Sequence, residues 1–238
     1  CKKAGIKPLL GMEAYVAPNH LEKSGMRENA HLILISKNIT GYKNLMKLSS
    51  IGFLDGFYYR PRIDYKLLEE YHEGLVCLSA CLAGDIPQLL LERRYEDAVA
   101  LANRLKGIFG DDFYIELQDH GLPEQKEILP QLAKIALELN IKTVATNDIH
   151  YVKKEDAESQ DVLLCIQTNR VVTDENRMKM SADEFYLKSE DEMRLALPQY
   201  PEAIANTAEI ADKCNVEITF HEQHLPGFTA PDGLTNLE

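Results

Sequence analysis

Positive charge is what this chain has too little of: 26 Lys and Arg stand against 38 Asp and Glu, a formal net charge of −12 over 238 residues. Each phosphate contact with a nucleic acid draws on a local Lys or Arg, so bulk electrostatics exclude broad nucleic-acid binding. Any such contact must come from a local basic patch, a bound metal or a neighbouring domain. Long apolar runs are missing too, which excludes a membrane-spanning helix, and the opening CKKAGIKPLL lacks the apolar stretch of a signal peptide. The cysteines number five, an odd count with no CxxC pair. That argues against a disulfide scaffold and for a reducing compartment, the cytoplasm by default. No GxxxxGK[ST], GxGxxG or GxSxG occurs, so the common phosphate loops and the nucleophile elbow are out. Neither a solenoid-length repeat nor a low-complexity tract is present.

What is there is an ordinary globular composition, 45% hydrophobic and 27% charged. The length suits one large domain or a domain with an appendage. Short apolar runs predict strands over 8–17, 31–35, 74–80, 112–118 and 141–146. Amphipathic runs predict helices over 41–54, from Asp85 to Gly110, over 122–140 with Pro130 kinking or splitting it, and over about 155–167. Strands alternating with helices imply parallel pairing through right-handed crossovers, hence an α/β layer or barrel. The common closed α/β barrel needs eight strands, so the five predicted here leave an open edge. The chain opens on Cys1 rather than Met, and it is expected to be a piece of something longer. Past about residue 170 the pattern turns polar and irregular, then gives two helices interrupted by Pro198 and Pro201. The Pro/Gly-rich end, FHEQHLPGFTAPDGLTNLE, reads as a connector leaving a domain.

In parallel α/β architectures, functional groups gather where strands give way to loops at their C-terminal ends. Asp148 and His150 follow IKTVAT, and Cys81 follows GLVCLSA. Glu116, Asp119 and His120 sit in and after DFYIELQ, Glu13 lies in PLLGMEAYV and His31 opens HLILI. Asp148 and His150, two residues apart, would face the same way on a strand. Carboxylate, imidazole and thiolate together form a ligand set suited to Zn²⁺, Mn²⁺ or Fe²⁺. For a phosphate substrate, a metal cluster can both generate hydroxide and neutralise the phosphoryl oxygens. Each residue taken singly also has a plainer reading: Asp-x-His as a loop pair, Cys81 as a small buried hydrophobe, His31 as a hydrogen-bonded strand residue. Glu13 resists that reading, because a carboxylate in an apolar strand is rarely left unpaired. The best basic and aromatic cluster is YYRPRIDY, where Arg60 and Arg62 are candidates for phosphate or DNA contact. A surface loop of Arg–carboxylate pairs explains it equally well.

The succession GIKPLLGMEAYVAP, ENAHLILISKN, GYKNLMKLSS, GLVCLSACLAGDIPQLLL, FYIELQDHGLPEQ and ATNDIHYVKKEDAESQDVLLCIQT resembles one family over essentially the whole chain. It is similar to the PHP (polymerase and histidinol phosphatase) domain of bacterial DNA polymerase III alpha subunits. The resemblance implies a partial, distorted (β/α)7 PHP barrel with mostly parallel strands over 1–185, lacking its N-terminal strands. A small helical connector toward the polymerase palm then follows over 186–238. It implies metal ligands at Glu13, His31, Cys81, Asp148 and His150, holding Zn²⁺ or Mn²⁺ with partial occupancy. The family's earlier His-x-His and Asp-His ligands would precede Cys1.

By the same resemblance the parent is a replicative DNA-directed DNA polymerase, a nucleotidyltransferase using Mg²⁺, whose catalytic carboxylates lie outside this chain. Its partners would be primer–template DNA, the sliding clamp, the clamp loader and a proofreading exonuclease, with no membrane. Two roles are open for this segment. One is a metal-dependent 3′–5′ proofreading phosphoesterase in the intact parent. The other is a non-catalytic scaffold that braces the polymerase and docks a separate exonuclease. A free-standing phosphatase is disfavoured by the polymerase-like tail. On its own, the 238-residue chain is expected to be inactive.

Overall fold

The computed structural model describes residues 1–24 and 29–221. Strands β1 (Gly11–Val16), β2 (Ala30–Ser36), β3 (Arg62–Ile63), β4 (Leu75–Leu78), β5 (Phe113–Leu117) and β6 (Lys142–Ala145) make one open sheet, in the order β3-β1-β2-β4-β5-β6. Among these pairings β1 with β3, β4 with β5 and β5 with β6 are parallel. Strand β2 is the exception and runs antiparallel to both β1 and β4. Among the described residues no helix lies between β1 and β2, and an antiparallel return needs none, whereas parallel neighbours need a longer crossover. The result is the mixed, mostly parallel, unclosed α/β sheet expected of a partial barrel.

Eight α-helices are described: α1 (Ile39–Leu54), α2 (Tyr65–Tyr71), α3 (Asp85–Leu91), α4 (Tyr95–Phe109), α5 (Pro123–Glu138), α6 (Ala157–Thr168), α7 (Glu190–Ala196) and α8 (Pro201–Lys213). Three expectations need correction. The helix expected from Asp85 to Gly110 is two, because Arg93 takes a left-handed φ of 62° between α3 and α4. Of the kink or split expected at Pro130, the split does not occur: α5 runs on through it as one helix. Its buried face of Ile128, Leu129, Leu132, Ile135 and Ala136 outweighs the one backbone hydrogen bond that proline removes. Strand β3 and helix α2 are additional elements, too short to show a period in sequence. Helix α2 is instead started by Asp64, whose carboxylate accepts from the N–H groups of Lys66 and Leu67 (3.1 Å each).

Side chains alternate along each strand, so the sheet buries two different faces. Leu32, Leu34, Leu75, Cys77, Phe113, Ile115 and Leu117 point into a large core with residues of α1 to α5. Val76, Leu78, Tyr114 and Val144 point the other way and meet Ile210 of α8 and Cys214 just beyond it. Asn206 of α8 ties this helix to the sheet by donating to the Thr143 carbonyl (2.8 Å). Only part of this second face is covered. Residues that pair directly across β1 and β2 share a face, so Glu13 and Tyr15 stand beside Ile33 and His31 on it. Glu116, paired with Val144, belongs to the same face. The tail HLPGFTAPDG, read as a connector, lies outside the described residues. Among the described residues no helix is long and apolar enough to cross a membrane.

Candidate metal centre

The strand pairing brings three of the predicted donors together. His31 stands near the start of β2 opposite Tyr15, and Glu13 lies two pairs further along, on the same face. Cys81 follows β4 in a tight loop, where Ala80 takes φ 65° and turns the chain out of the sheet. The loop is closed by Gly84 N–H on the Cys81 carbonyl (2.9 Å) and tied to β2 by His31 N–H on the Ala83 carbonyl (2.9 Å). Gly84 has no room for a side chain, since a Cβ there would fall 2.3 Å from the Ser79 carbonyl oxygen. The backbone thus holds Cys81 against His31.

Donor atoms of Glu13, His31 and Cys81 all lie within 4.8 Å of one another. His31 Nδ1 is 2.6 Å from Glu13 Oε1 and 3.8 Å from Cys81 Sγ. The hydrogen bond with Cys81, and then that with Glu13, raise the His31 imidazole to about 10 against the opposing effect of burial. The Glu13 carboxyl is held low, chiefly by its bond to His31. Contrary to the expectation of a buried strand carboxylate, half of the Glu13 side chain is exposed (50%). One imidazolium therefore stands in for a positive charge between a carboxylate and a thiol. The donor set of one nitrogen, one sulfur and one oxygen fits a borderline divalent ion such as Zn²⁺, and loading would displace that proton.

Asp148 and His150 arrive at the same end of the sheet but not in the same cluster. Strand β6 ends at Ala145, so the pair lies in a loop and not on a strand as the period-of-two argument required. His150 Nδ1 is 2.9 Å from the Asp148 carbonyl oxygen and 3.8 Å from its carboxylate. The loop is pinned where His150 N–H donates to the Phe185 carbonyl (2.8 Å) and Asp148 N–H donates to His120 Nε2 (3.2 Å). Gln125 holds the other nitrogen of the His120 ring (2.7 Å), and Phe185 stacks on it at 4.4 Å. Burial, first of all, keeps that imidazole low. His120 is thereby a buried support of the Asp148 loop. His150 nevertheless acts on the trio: its charge helps to lower Glu13.

Behind them sits Glu116, 4% exposed, pushed up to about 7 mainly by burial and further by the charges of Asp148 and Glu13. Gln118 donates to Thr146 (2.9 Å), whose hydroxyl donates to Glu116 Oε1 (2.7 Å). The other Glu116 oxygen, Oε2, is buried without a hydrogen-bond partner, as is Gln118 Oε1. A buried unpaired acceptor is costly, by about 1–3 kcal/mol. The period-two pattern of FYIELQ carried the signal for Tyr114, Glu116 and Gln118 as one face. Nothing in the irregular segment after 170 pointed to Phe185.

The two arginines part company. Arg62 is 3% exposed and donates to the carbonyls of Gly56 (3.0 Å), His20 (3.1 Å) and Glu22 (2.6 Å). Its donors serve the 20–22 loop, which corrects its assignment as a phosphate contact. Arg60 is exposed, with its guanidinium 5.6 Å from the Tyr15 ring, and Tyr15 in turn packs edge-on against His31 (5.2 Å). It flanks the trio.

An open, mostly parallel α/β sheet with a His/Cys/carboxylate cluster at its C-terminal edge defines the class. The PHP domain family matches residues 1–120, and the chain belongs to that family. Over nearly its whole length it is similar to DNA polymerase III subunit alpha of Borreliella burgdorferi, 49% identical over 235 residues, covering 97% of this chain and 20% of the relative. The same protein of Treponema pallidum is 46% identical over 243 residues, covering 100% of this chain and 21% of the relative. That of Thermus aquaticus is 43% identical over 245 residues, covering 98% and 20%. The chain spans about a fifth of the length of the curated relatives it matches.

Proposed function

We propose that this chain is the metal-binding PHP segment of a replicative DNA polymerase alpha subunit, and that in the whole protein it acts as a 3′–5′ phosphoesterase on DNA ends. The observation that carries the metal reading is the convergence of Glu13, His31 and Cys81 within 4.8 Å. In this reading they hold one divalent ion, Zn²⁺ or Mn²⁺, and Asp148 and His150 serve an adjoining position. A bound divalent ion would supply Lewis acidity toward a phosphodiester. The chain's own residues do the rest. Glu13 orients the His31 ring, the Ser79–Gly84 loop fixes Cys81, and His120 with Phe185 holds the Asp148–His150 loop in place. Arg60, exposed beside Tyr15, is the available cation for a substrate phosphate.

Residues 1–185 form the metal-binding body in this assignment, and 186–238 the connector toward the polymerase palm. The whole protein would be a cytoplasmic DNA-directed DNA polymerase using Mg²⁺ on primer–template DNA. It would work with a sliding clamp and a clamp loader. The similarity to the alpha subunits along almost the entire chain supports this.

The test is metal content and 3′–5′ nuclease activity of the full-length protein, wild type against Asp148→Asn and His150→Ala. Loss of activity in both variants is expected. Undiminished activity in both would sink the nuclease reading. A full-length protein with neither metal nor nuclease activity would leave the scaffold that docks a separate proofreading exonuclease.

A further inference from the structure

We propose that Glu116 is a positioning residue of the metal centre: from the end of β5 it holds together the loop that carries Cys81 and the loop that carries Asp148 and His150. The inference deepens the metal reading above and rests on it. Strand β5 lies between β4 and β6, and the Cys81 loop leaves β4 while the Asp148 loop leaves β6. Toward β4, the Glu116 N–H donates to the Ser79 hydroxyl (2.9 Å), and the N–H of Ala80, next to Cys81, acts on the Glu116 carboxyl. Toward β6, the hydroxyl of Thr146, two residues before Asp148, donates to Glu116 Oε1 (2.7 Å). One buried residue thus spans both loops.

The protonated acid suits this role better than the ion. An ionised Glu116 would be a buried charge acted on by the like charges of Asp148 and Glu13. Its second oxygen, Oε2, and Gln118 Oε1 are both buried acceptors without a partner. A proton on Oε2 supplies the donor that this side lacks, while Oε1 stays free to receive from Thr146. The hold therefore rests on hydrogen bonds and shape, and a glutamine can provide both. It keeps an oxygen for the Thr146 hydroxyl and offers N–H where the acid offers O–H. Alanine offers neither.

The experiment uses the full-length protein, wild type against Glu116→Ala and Glu116→Gln. Hydrogen exchange on the metal-free protein reads the two loops, and thiolate-to-cobalt absorption on adding Co²⁺ reads the trio at Cys81. Glu116→Ala is expected to speed exchange in 79–84 and 146–150, while 201–213 at the covered end exchanges as in wild type. Its Co²⁺ affinity should fall by about 10–100-fold, the loss typical of an outer partner. Glu116→Gln should restore the wild-type result in both measurements. If Glu116→Ala does not fold, Thr146→Val removes only the hydroxyl bonded to Oε1 and should speed exchange in 146–150 alone. Loop exchange unchanged in these variants, or raised equally in 201–213, overturns the proposal, as does a glutamine variant that behaves like alanine. Faster exchange in Glu116→Ala with undiminished Co²⁺ affinity makes Glu116 a structural residue only and overturns its positioning role. A wild-type protein without a cobalt band strikes down the metal reading, and the exchange pattern still decides whether Glu116 holds the two loops.

Discussion

The same sheet face ends in two different ways. Under α8 it is finished by the chain itself: Ile210 and Cys214 close over Val76, Leu78, Tyr114 and Val144. The charges at that end are matched. Lys142 reaches both oxygens of Glu209 (2.6 and 2.7 Å), Tyr114 donates to Glu209 (2.9 Å), and Lys213 donates to Tyr114 (2.8 Å). At the opposite end the acids Glu13, Glu116 and Asp148 gather with imidazoles for company, and among the described residues no lysine or arginine is bonded to them. One Glu116 oxygen and the Gln118 carbonyl have no partner at all. An end built to be complete pairs every charge within the chain. At the open end the donors that gather are those of a metal site, Glu13, His31 and Cys81 within 4.8 Å of one another.

The sharpest way to break the comparison is to damage each end alone. Ile210→Ala removes a 4%-exposed side chain from the closed end and is expected to cost about 2–5 kcal/mol in denaturant unfolding. Metal uptake should be unchanged. Cys81→Ala does the reverse. Cys81 is only partly buried, so stability should move little in the metal-free protein. Its affinity for Co²⁺ should fall by more than the roughly 10–100-fold that loss of an outer partner costs. If Ile210→Ala abolished metal binding, the two ends would be one cooperative unit and the contrast would be wrong.

Much of this was legible in sequence, for identifiable reasons. Strands β1, β2, β4, β5 and β6 show as apolar runs because each buries a face, and the long helices show as amphipathic stretches. The two-residue β3 and seven-residue α2 did not, since neither spans enough positions to display a period. Glu13, His31 and Cys81 were each recognisable as donors at strand positions. Their convergence was not, because it depends on the β1–β2 register and on the left-handed turn at Ala80. Arg62 illustrates the opposite error. Next to Tyr58 and Tyr59 it reads as a phosphate contact, yet folding spends its donors on three backbone carbonyls.

A gentler test acts on the matched charges of the closed end. Glu209 is held at about 2, first of all by its hydrogen bond to Lys142. Its folded value lies below the unfolded one, so its contribution is present above the ordinary carboxylate range and is lost as pH falls toward 2. The network is largely solvent-exposed, which limits the effect: Glu209→Gln is expected to cost about 1 kcal/mol at neutral pH. The variant and wild type should converge in stability on acidification. A difference that persisted at pH 2 would mean that the carboxylate's charge is not what matters.

The smallest effect belongs to the open end without metal, and its sign is opposite. His31 is raised to about 10 by Cys81 and then Glu13, above the unfolded value near 6.5. Its protonation therefore stabilises the metal-free fold fully below about 6.5, and this contribution fades as pH rises through about 10. In the metal-free protein, stability should decline across that window, and His31→Gln should flatten the decline. Metal loading should remove it too, because a ligating imidazole nitrogen has already given up its proton. The same proton explains why uptake must be pH-dependent: each ion that enters the trio displaces it, so affinity should weaken as the solution is acidified. Metal binding that released no protons at pH 7 would show that His31 is not a ligand, however close it stands to Cys81.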